Sequence, residues 1–445
     1  MRSSRFILCY PYVAAVLAKD PVAHLVDYGA AKSQDLLGVC ESPLCSNEHP
    51  VAILEDPIAE DRAQAAALWP HATPCARNGT KEFCVYSDPE FAGRGIGILT
   101  SPERAIEIAK SKVFNDPEVS EAIDELNAEE SPRWMVAEVP GKGMGLIATQ
   151  NLEMGDHIMS TSASVMIDYS VFYEVTEAQL LEMQAAAVEN LPKRHRTAFL
   201  NLSTHDHAEN YQTQVSKVIL TNAFDIQDTG LVTKKNDDEE ENFYTVFPEI
   251  SRMNHDCRPN ADYQFDPETY TQHVHAVRRI AAGEEITISY IDPIQTQKDR
   301  LNRLNNSWHF PCSCSACTQN KHFTAASDAR IQQILELRKQ LRNWDPYSQA
   351  TPSMAELLVS LYEEERLWSN LYEAYTYAAI EYNGAGDPWM ATKYARLAIH
   401  HGLAVGGPKD SDVIEMTSLA KDPWEHWSWM LRTKKRMNWG AKVDE

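Results

Sequence analysis

The sequence predicts an α+β protein, a β-fold of short strands with a helical insert followed by an all-α region of helical hairpins. Two observations carry this. From Trp134 the chain runs in short β-like stretches, Trp134 to Val139 and Gly145 to Thr149, parted by Gly and Asp turns. After Cys317 the periodicity becomes helical, with Ile331, Ile334, Leu335 and Leu341 set to share one helix face. The 445 residues have room for two or three domains. With 43% hydrophobic and 24% charged residues, the composition is that of a globular chain and excludes wholesale disorder. No apolar run reaches the roughly 18 residues that a spanning helix needs, so a transmembrane segment is not expected.

The elements follow in chain order. Arg2 and Arg5 precede a short apolar run, and Val16-Leu17-Ala18 offers small residues for cleavage, so residues 1–18 have the layout of a signal peptide. Residues 19–130 form an N-terminal extension with four cysteines, Cys40, Cys45, Cys75 and Cys84. They fit two disulfides, and Asn78-Gly79-Thr80 is a glycosylation sequon in the same segment; the alternative is four free thiols. A mature chain starting at Lys19 would mean entry into the secretory pathway, and an intact Met1 would mean the nucleus or cytoplasm. The Gly-rich stretch 93–97 reads as a turn. A helix is expected after Pro102, with Ser101 as its N-cap. A helical stretch is expected from Thr176 to Leu200, and the acidic run Asp237 to Glu241 reads as a solvated loop. Helices are then expected over 353–367, 371–382 and 388–401, broken at Asn383-Gly384 and Gly402. Small and aromatic residues alternating along the last two resemble tetratricopeptide-like hairpins, with a generic bundle as the alternative.

The strongest metal signal is Cys312-Ser313-Cys314-Ser315-Ala316-Cys317, where three thiolates within one loop can turn towards one ion. Tetrahedral zinc takes a fourth ligand, and Cys257, in Asn254-His255-Asp256-Cys257-Arg258-Pro259-Asn260, is the best candidate. The competing reading is three reduced thiols without a metal.

That heptapeptide, then Gly283-Glu284-Glu285-Ile286-Thr287-Ile288-Ser289-Tyr290, then the Cys-x-Cys-x-x-Cys run resembles the SET domain of protein lysine methyltransferases. Lys142-Gly143-Met144-Gly145-Leu146 is similar to the first Gly-x-Gly turn of that family. Asn222-Ala223-Phe224-Asp225-Ile226 is similar to the segment before the Asn-His motif in the subclass that pairs SET with a MYND zinc finger. The resemblance implies a SET domain over 131–292, a post-SET zinc segment over 300–320 held with Cys257, and a helical C-terminal domain over 325–436. It implies S-adenosylmethionine as cofactor and structural zinc. Tyr290 would be the catalytic tyrosine beside the amine, and Phe224 and Trp308 would line the lysine channel. Lys142, Gly143, Met144, Gly145, Asn222, Asn254, His255, Tyr290 and Phe310 would bind the cofactor, with Phe310 stacking on adenine and His255 contributing backbone more than imidazole.

Two departures stand out. No MYND-like cysteine array interrupts residues 150–250, and Trp308 stands where the subclass usually has a tyrosine. The expected function is a protein-lysine N-methyltransferase acting on a histone or another basic protein or peptide. The alternatives are a non-catalytic SET-like binding module and a methyltransferase of small amines. Acids outnumber Lys and Arg by 64 to 41, a net charge of −23. That balance speaks against a direct grip on nucleic acid, which comes from basic side chains. It suits a basic partner, or serves solubility alone.

Overall fold

A computed structural model describes residues 57–116, 118, 121, 132–227, 242–345 and 347–443. The signal-like start, Cys9, Cys40, Cys45 and the acidic run 237–241 lie outside the described residues.

Three sheets build the β part. Strands β1 (Cys75–Asn78), β2 (Lys81–Asp88) and β3 (Ile96–Thr100) join β7 (Val165–Asp168), β9 (Asn242–Val246) and β8 (Phe224–Gln227) in one six-stranded sheet of order β1-β2-β3-β7-β9-β8. Only β3 and β7 run parallel within it. The sheet therefore crosses the expected boundary near residue 130. Cys75 and Cys84 face each other across β1 and β2 and are joined as a disulfide. β3 is buried along its whole length, which suits a run of Ile, Gly and Leu in a central strand. The second sheet is β10 (Asn254–His255), β13 (Glu285–Ile288), β5 (Gly143–Ala148) and β4 (Trp134–Val139). The third is β11 (Ala261–Asp266), β12 (Thr271–Ala276) and β6 (His157–Ser162).

Helices α1 (Pro57–Leu68), α2 (Pro102–Lys110) and α3 (Lys112–Asn115) belong to the N-terminal segment. Ser101 caps α2 by accepting from the N–H of Arg104, with Pro102 in the first turn, as expected. The helical insert is α4 (Val171–Glu174), α5 (Glu177–Glu189), α6 (Lys193–Leu200) and α7 (Tyr211–Asn222). Thr176 and Gln179 form a capping box at the start of α5. The single stretch expected from Thr176 to Leu200 is divided, because Pro192 cannot continue α5 and instead precedes α6.

The C-terminal region is all helical: α8 (Gln297–Trp308), α9 (Lys321–Arg342), α10 (Pro352–Glu364), α11 (Leu371–Ala385), α12 (Pro388–Val405), α13 (Ser411–Lys421) and α14 (Leu431–Val443). Ile331, Ile334 and Leu341 are buried, but Leu335 is exposed. At 100° per residue the inward face after Ile334 passes through Leu337 and Arg338, both buried, and leaves Leu335 to one side. The breaks expected at Asn383-Gly384 and Gly402 fall slightly later: α11 runs through Asn383-Gly384 to Ala385, and α12 runs through Gly402 to Val405. Gly402 lies inside α12 because a Cβ there would come within 2.7 Å of Val413 Cγ2, so it permits close packing of α12 on α13. Asn383 is buried in α11 and donates to the Pro423 carbonyl (3.0 Å) and Ser428 Oγ (2.8 Å), pinning the loop before α14. Among the described residues, no helix is long and apolar enough to cross a membrane.

Candidate active site and metal centre

Strand pairing brings the motifs together. β10 lies parallel to β13, with Asn254 opposite Thr287 and His255 opposite Ile288. β5 lies antiparallel on the other side of β13, pairing Glu285 with Ile147. Asn260 closes the clasp: its Oδ1 accepts from the Thr287 N–H (2.8 Å), and its Nδ2 donates to the Glu285 carbonyl (2.8 Å).

Lys142, Gly145 and Asn254 converge on one carboxylate. Lys142 Nζ lies 2.7 Å from Glu285 Oε2, and Asn254 Nδ2 donates to Glu285 Oε1 at 2.9 Å and to the Met144 carbonyl at 3.3 Å. Gly143 adopts φ +77°, and a Cβ on Gly145 would stand 2.7 Å from Val139 Cγ2 and 2.8 Å from Asn254 Nδ2. The turn therefore admits glycine at both places. Met144 points to solvent beside it. Sequence reasoning did not assign Glu285 to the site; an acid next to another acid after a Gly turn reads as a solvated charge. Its signal is position, as the first residue of β13.

Tyr290 follows β13. Its phenol donates to the Met253 carbonyl (2.7 Å), and burial holds its pKa above the ordinary tyrosine value. Its main-chain N–H donates to His255 Nδ1 (3.0 Å). That bond leaves the imidazole proton on Nε2, which lies 3.3 Å from Cys257 Sγ. Burial pushes the His255 pKa down to about 3, so the ring is neutral. The imidazole thus links the Tyr290 main chain to the cysteine cluster.

Tyr290 shares a small open cleft with Asn222, Phe224, Met253, Ile288 and Trp308. The Trp308 ring lies 5.4 Å from that of Tyr290, and Phe310 stands edge-on to Tyr290 at 6.5 Å. Asn222, grouped by sequence with the cofactor residues, lines this cleft and not the Lys142–Asn254 cluster. Its amide is spent on the Ser203 and Val218 carbonyls, both at 2.8 Å.

Cys257, Cys312, Cys314 and Cys317 are all buried, with sulfurs within 4.8 Å of one another and Cys257 and Cys317 at 3.5 Å. Zinc–sulfur bonds of about 2.3 Å in a tetrahedron put the sulfurs about 3.8 Å apart, so the donor set fits. Arg300 gives a second test of the fit. It is buried, its Nε has no partner, and one Nη donates to the Gln295 carbonyl. Burial alone would lower its pKa, yet the neighbouring sulfurs of Cys257 and Cys317 hold it above the ordinary value. No carboxylate pairs with it among the described residues. A buried cation needs a counter-charge; four neutral thiols provide none, whereas zinc with four thiolates carries a net charge of about −2.

A buried ion pair ties this centre to the helical region. Arg258 donates to the Cys257 carbonyl (2.8 Å) and lies 2.6 Å from Glu365 Oε2. Glu365 also accepts from Ser327 Oγ and Arg330 Nε, each at 2.7 Å.

Comparison with known proteins agrees with this geometry. Residues 143–291 match the SET domain family. The histone-lysine N-methyltransferase set5 of Schizosaccharomyces pombe is 29% identical over 221 residues, 49% of this chain and 59% of that protein. The N-lysine methyltransferase SMYD2 of Sus scrofa is 33% identical over 121 residues, 27% of this chain and 25% of that protein. The histone-lysine N-methyltransferase SMYD3 of Mus musculus is 39% identical over 77 residues, 17% of this chain and 18% of that protein. The chain thus spans less than two thirds of the length of each of these relatives.

Proposed function

Because this chain carries a SET domain homologous to lysine methyltransferases, we propose that it is an S-adenosylmethionine-dependent protein-lysine N-methyltransferase with a basic protein or peptide as substrate. The observation that carries the reading is that the Met253-Asn254 segment joins Tyr290 to the cluster: the Met253 carbonyl accepts from the Tyr290 phenol, while Asn254 donates to Glu285, which also holds Lys142.

When bound, S-adenosylmethionine supplies a methyl group activated on a sulfonium. Lys142, the Gly143–Gly145 turn, Asn254 and His255 would hold the cofactor, with Phe310 against its adenine. A lysine amine has an ordinary pKa of about 10.4 and must arrive deprotonated. Phe224 and Trp308, both buried, give an apolar channel that disfavours the charged ammonium. Tyr290 spends its proton on the Met253 carbonyl, so its oxygen faces the amine as an acceptor. An amine N–H held there would leave the nitrogen lone pair turned away from Tyr290 and towards the cofactor site, so the contribution of this chain would be chiefly positioning. Cys257, Cys312, Cys314 and Cys317 would hold a structural zinc ion that fixes Phe310 and His255.

The test is transfer from labelled cofactor to histones or lysate protein by purified protein. Tyr290→Phe should lower the rate roughly 10²-fold while leaving cofactor affinity intact. Equal transfer by this variant would refute the assignment of Tyr290. A second reading, a non-catalytic binding module, is favoured by Trp308, which brings no hydroxyl to the cleft. Absence of S-adenosylmethionine binding in calorimetry of zinc-loaded protein would select it.

A further inference from the structure

The sequon Asn78-Gly79-Thr80, which the catalytic reading does not use, stands at the tip of a hairpin. β1 ends at Asn78 and β2 begins at Lys81, and these two residues face each other, so Gly79 and Thr80 alone make the turn. Gly79 takes φ +61°, the positive value that the first central residue of such a turn needs. Asn78, Gly79 and Thr80 are all exposed, and a Cβ built on Gly79 would meet nothing within 4 Å. The tip stands clear of the fold, with room for a bulky group.

The acceptor amide is held at the surface. Asn78 Nδ2 donates to Glu174 Oε2 at 3.2 Å, and Lys81 Nζ lies 2.7 Å from Glu174 Oε1. A side-chain amide has two N–H donors. Substitution on the nitrogen uses one and leaves the other for Glu174.

A second observation is independent of the motif. Cys75 and Cys84 close the same hairpin as a disulfide. Such bonds form and persist in oxidising compartments, the setting in which a surface sequon is an acceptor for glycan. The two other sequons, Asn201-Leu202-Ser203 and Asn305-Asn306-Ser307, occupy no free tip. Leu202 is buried at the end of α6, and Ser307 is buried within α8, beside Trp308 of the cleft.

We propose that Asn78 carries an N-linked glycan, set at the free edge of the six-stranded sheet. The donor is a lipid-pyrophosphate-linked oligosaccharide, and a cellular glycosyltransferase performs the transfer. Asn78 Nδ2 attacks the anomeric carbon of the sugar, so that an N–C bond forms. The C–O bond to the pyrophosphate breaks and its electron pair leaves with the pyrophosphate, while one amide proton passes to a base of the transferase. β1 is the outermost strand of its sheet, so its outer edge pairs with no other strand of that sheet. An unpaired edge is a template for association with another chain, and a bulky, solubilising group at its end obstructs that approach. The inference does not rest on methyl transfer.

The test is peptide mapping of the full chain, expressed with its own N-terminus in cultured eukaryotic cells. Glycosidase treatment in heavy-oxygen water, followed by mass spectrometry, should show position 78 converted to a labelled aspartate. The non-reduced digest should hold Cys75 joined to Cys84. The electrophoretic shift on glycosidase treatment should shrink by one glycan in Asn78→Gln and in Thr80→Ala, and persist in Thr80→Ser, which keeps the hydroxyl. The wild-type map decides even where a variant misfolds. Asn78 recovered unmodified, or glycan confined to Asn201 or Asn305, overturns the proposal. Light scattering should show more self-association once the glycan is removed from the folded protein, and unchanged scattering overturns the shielding role. Methyl transfer by the same preparation reports on the catalytic reading separately.

Discussion

Replacing Glu365 by alanine strands a buried guanidinium. Arg258 and Glu365 are 3% and 4% exposed, and Glu365 satisfies Arg258, Ser327 and Arg330 together. Removing one partner of a buried pair costs about 3–5 kcal/mol. At roughly 2–4 °C per kcal/mol for a domain of 150–250 residues, melting should fall by about 6–20 °C. The loss should also reach the cysteine centre, because the same guanidinium holds the Cys257 carbonyl at 2.8 Å. Zinc should then leave faster to a chelator. Scanning calorimetry of Glu365→Ala, Arg258→Met and the double variant forms a double-mutant cycle. The double variant should be more stable than the sum of the two single losses, because it removes both charges. Strict additivity, or a Glu365→Ala melting point equal to wild type, would refute the reasoning.

Four further outcomes are expected. Arg300→Met should weaken zinc retention about 10–100-fold in competition with a chelator, and Cys314→Ser should lower zinc content and thermal stability together. Gly145→Ala puts a Cβ against Asn254 Nδ2 and Val139; cofactor affinity should fall while a zinc assay stays unchanged. The folded Asp412 carboxyl is raised to about 6, chiefly by burial and then by Asp410. With an ordinary value near 3.9, the neutral form is favoured in the fold, so Asp412 costs stability as pH rises through this window. Asp412→Asn should therefore raise the melting temperature at pH 7.5 and leave it nearly unchanged at pH 4. A shift equal at both pH values would count against burial as the cause.

Features written in neighbouring residues were legible in the sequence. Trp134–Val139 forms β4 with the expected ends, Ser101 and Pro102 open a helix, and the Cys-x-Cys-x-x-Cys loop meets Cys257. Partnerships between distant residues were not. Glu285 reads as an exposed acid until β5 and β10 bring Lys142 and Asn254 to it. Arg300 is one of several charges in a polar helix until α8 turns it against the sulfurs. Gly384 and Gly402 carry the usual punctuation of a helix end, yet here they are spaces for a neighbouring chain segment. Local composition cannot distinguish a glycine that ends a helix from one that lets another approach.

The six-stranded sheet has a practical consequence. The recognisable family region begins at residue 143, but β7 inside it is paired on one side by β3, from residues 96–100. A fragment cut near residue 131 would bare the β7 edge together with Val165 and Ile167, both now fully buried. An uncovered apolar strand edge is a template for self-association. Expression of the SET region alone should therefore yield aggregates, and a soluble preparation should require the strands that begin at Cys75.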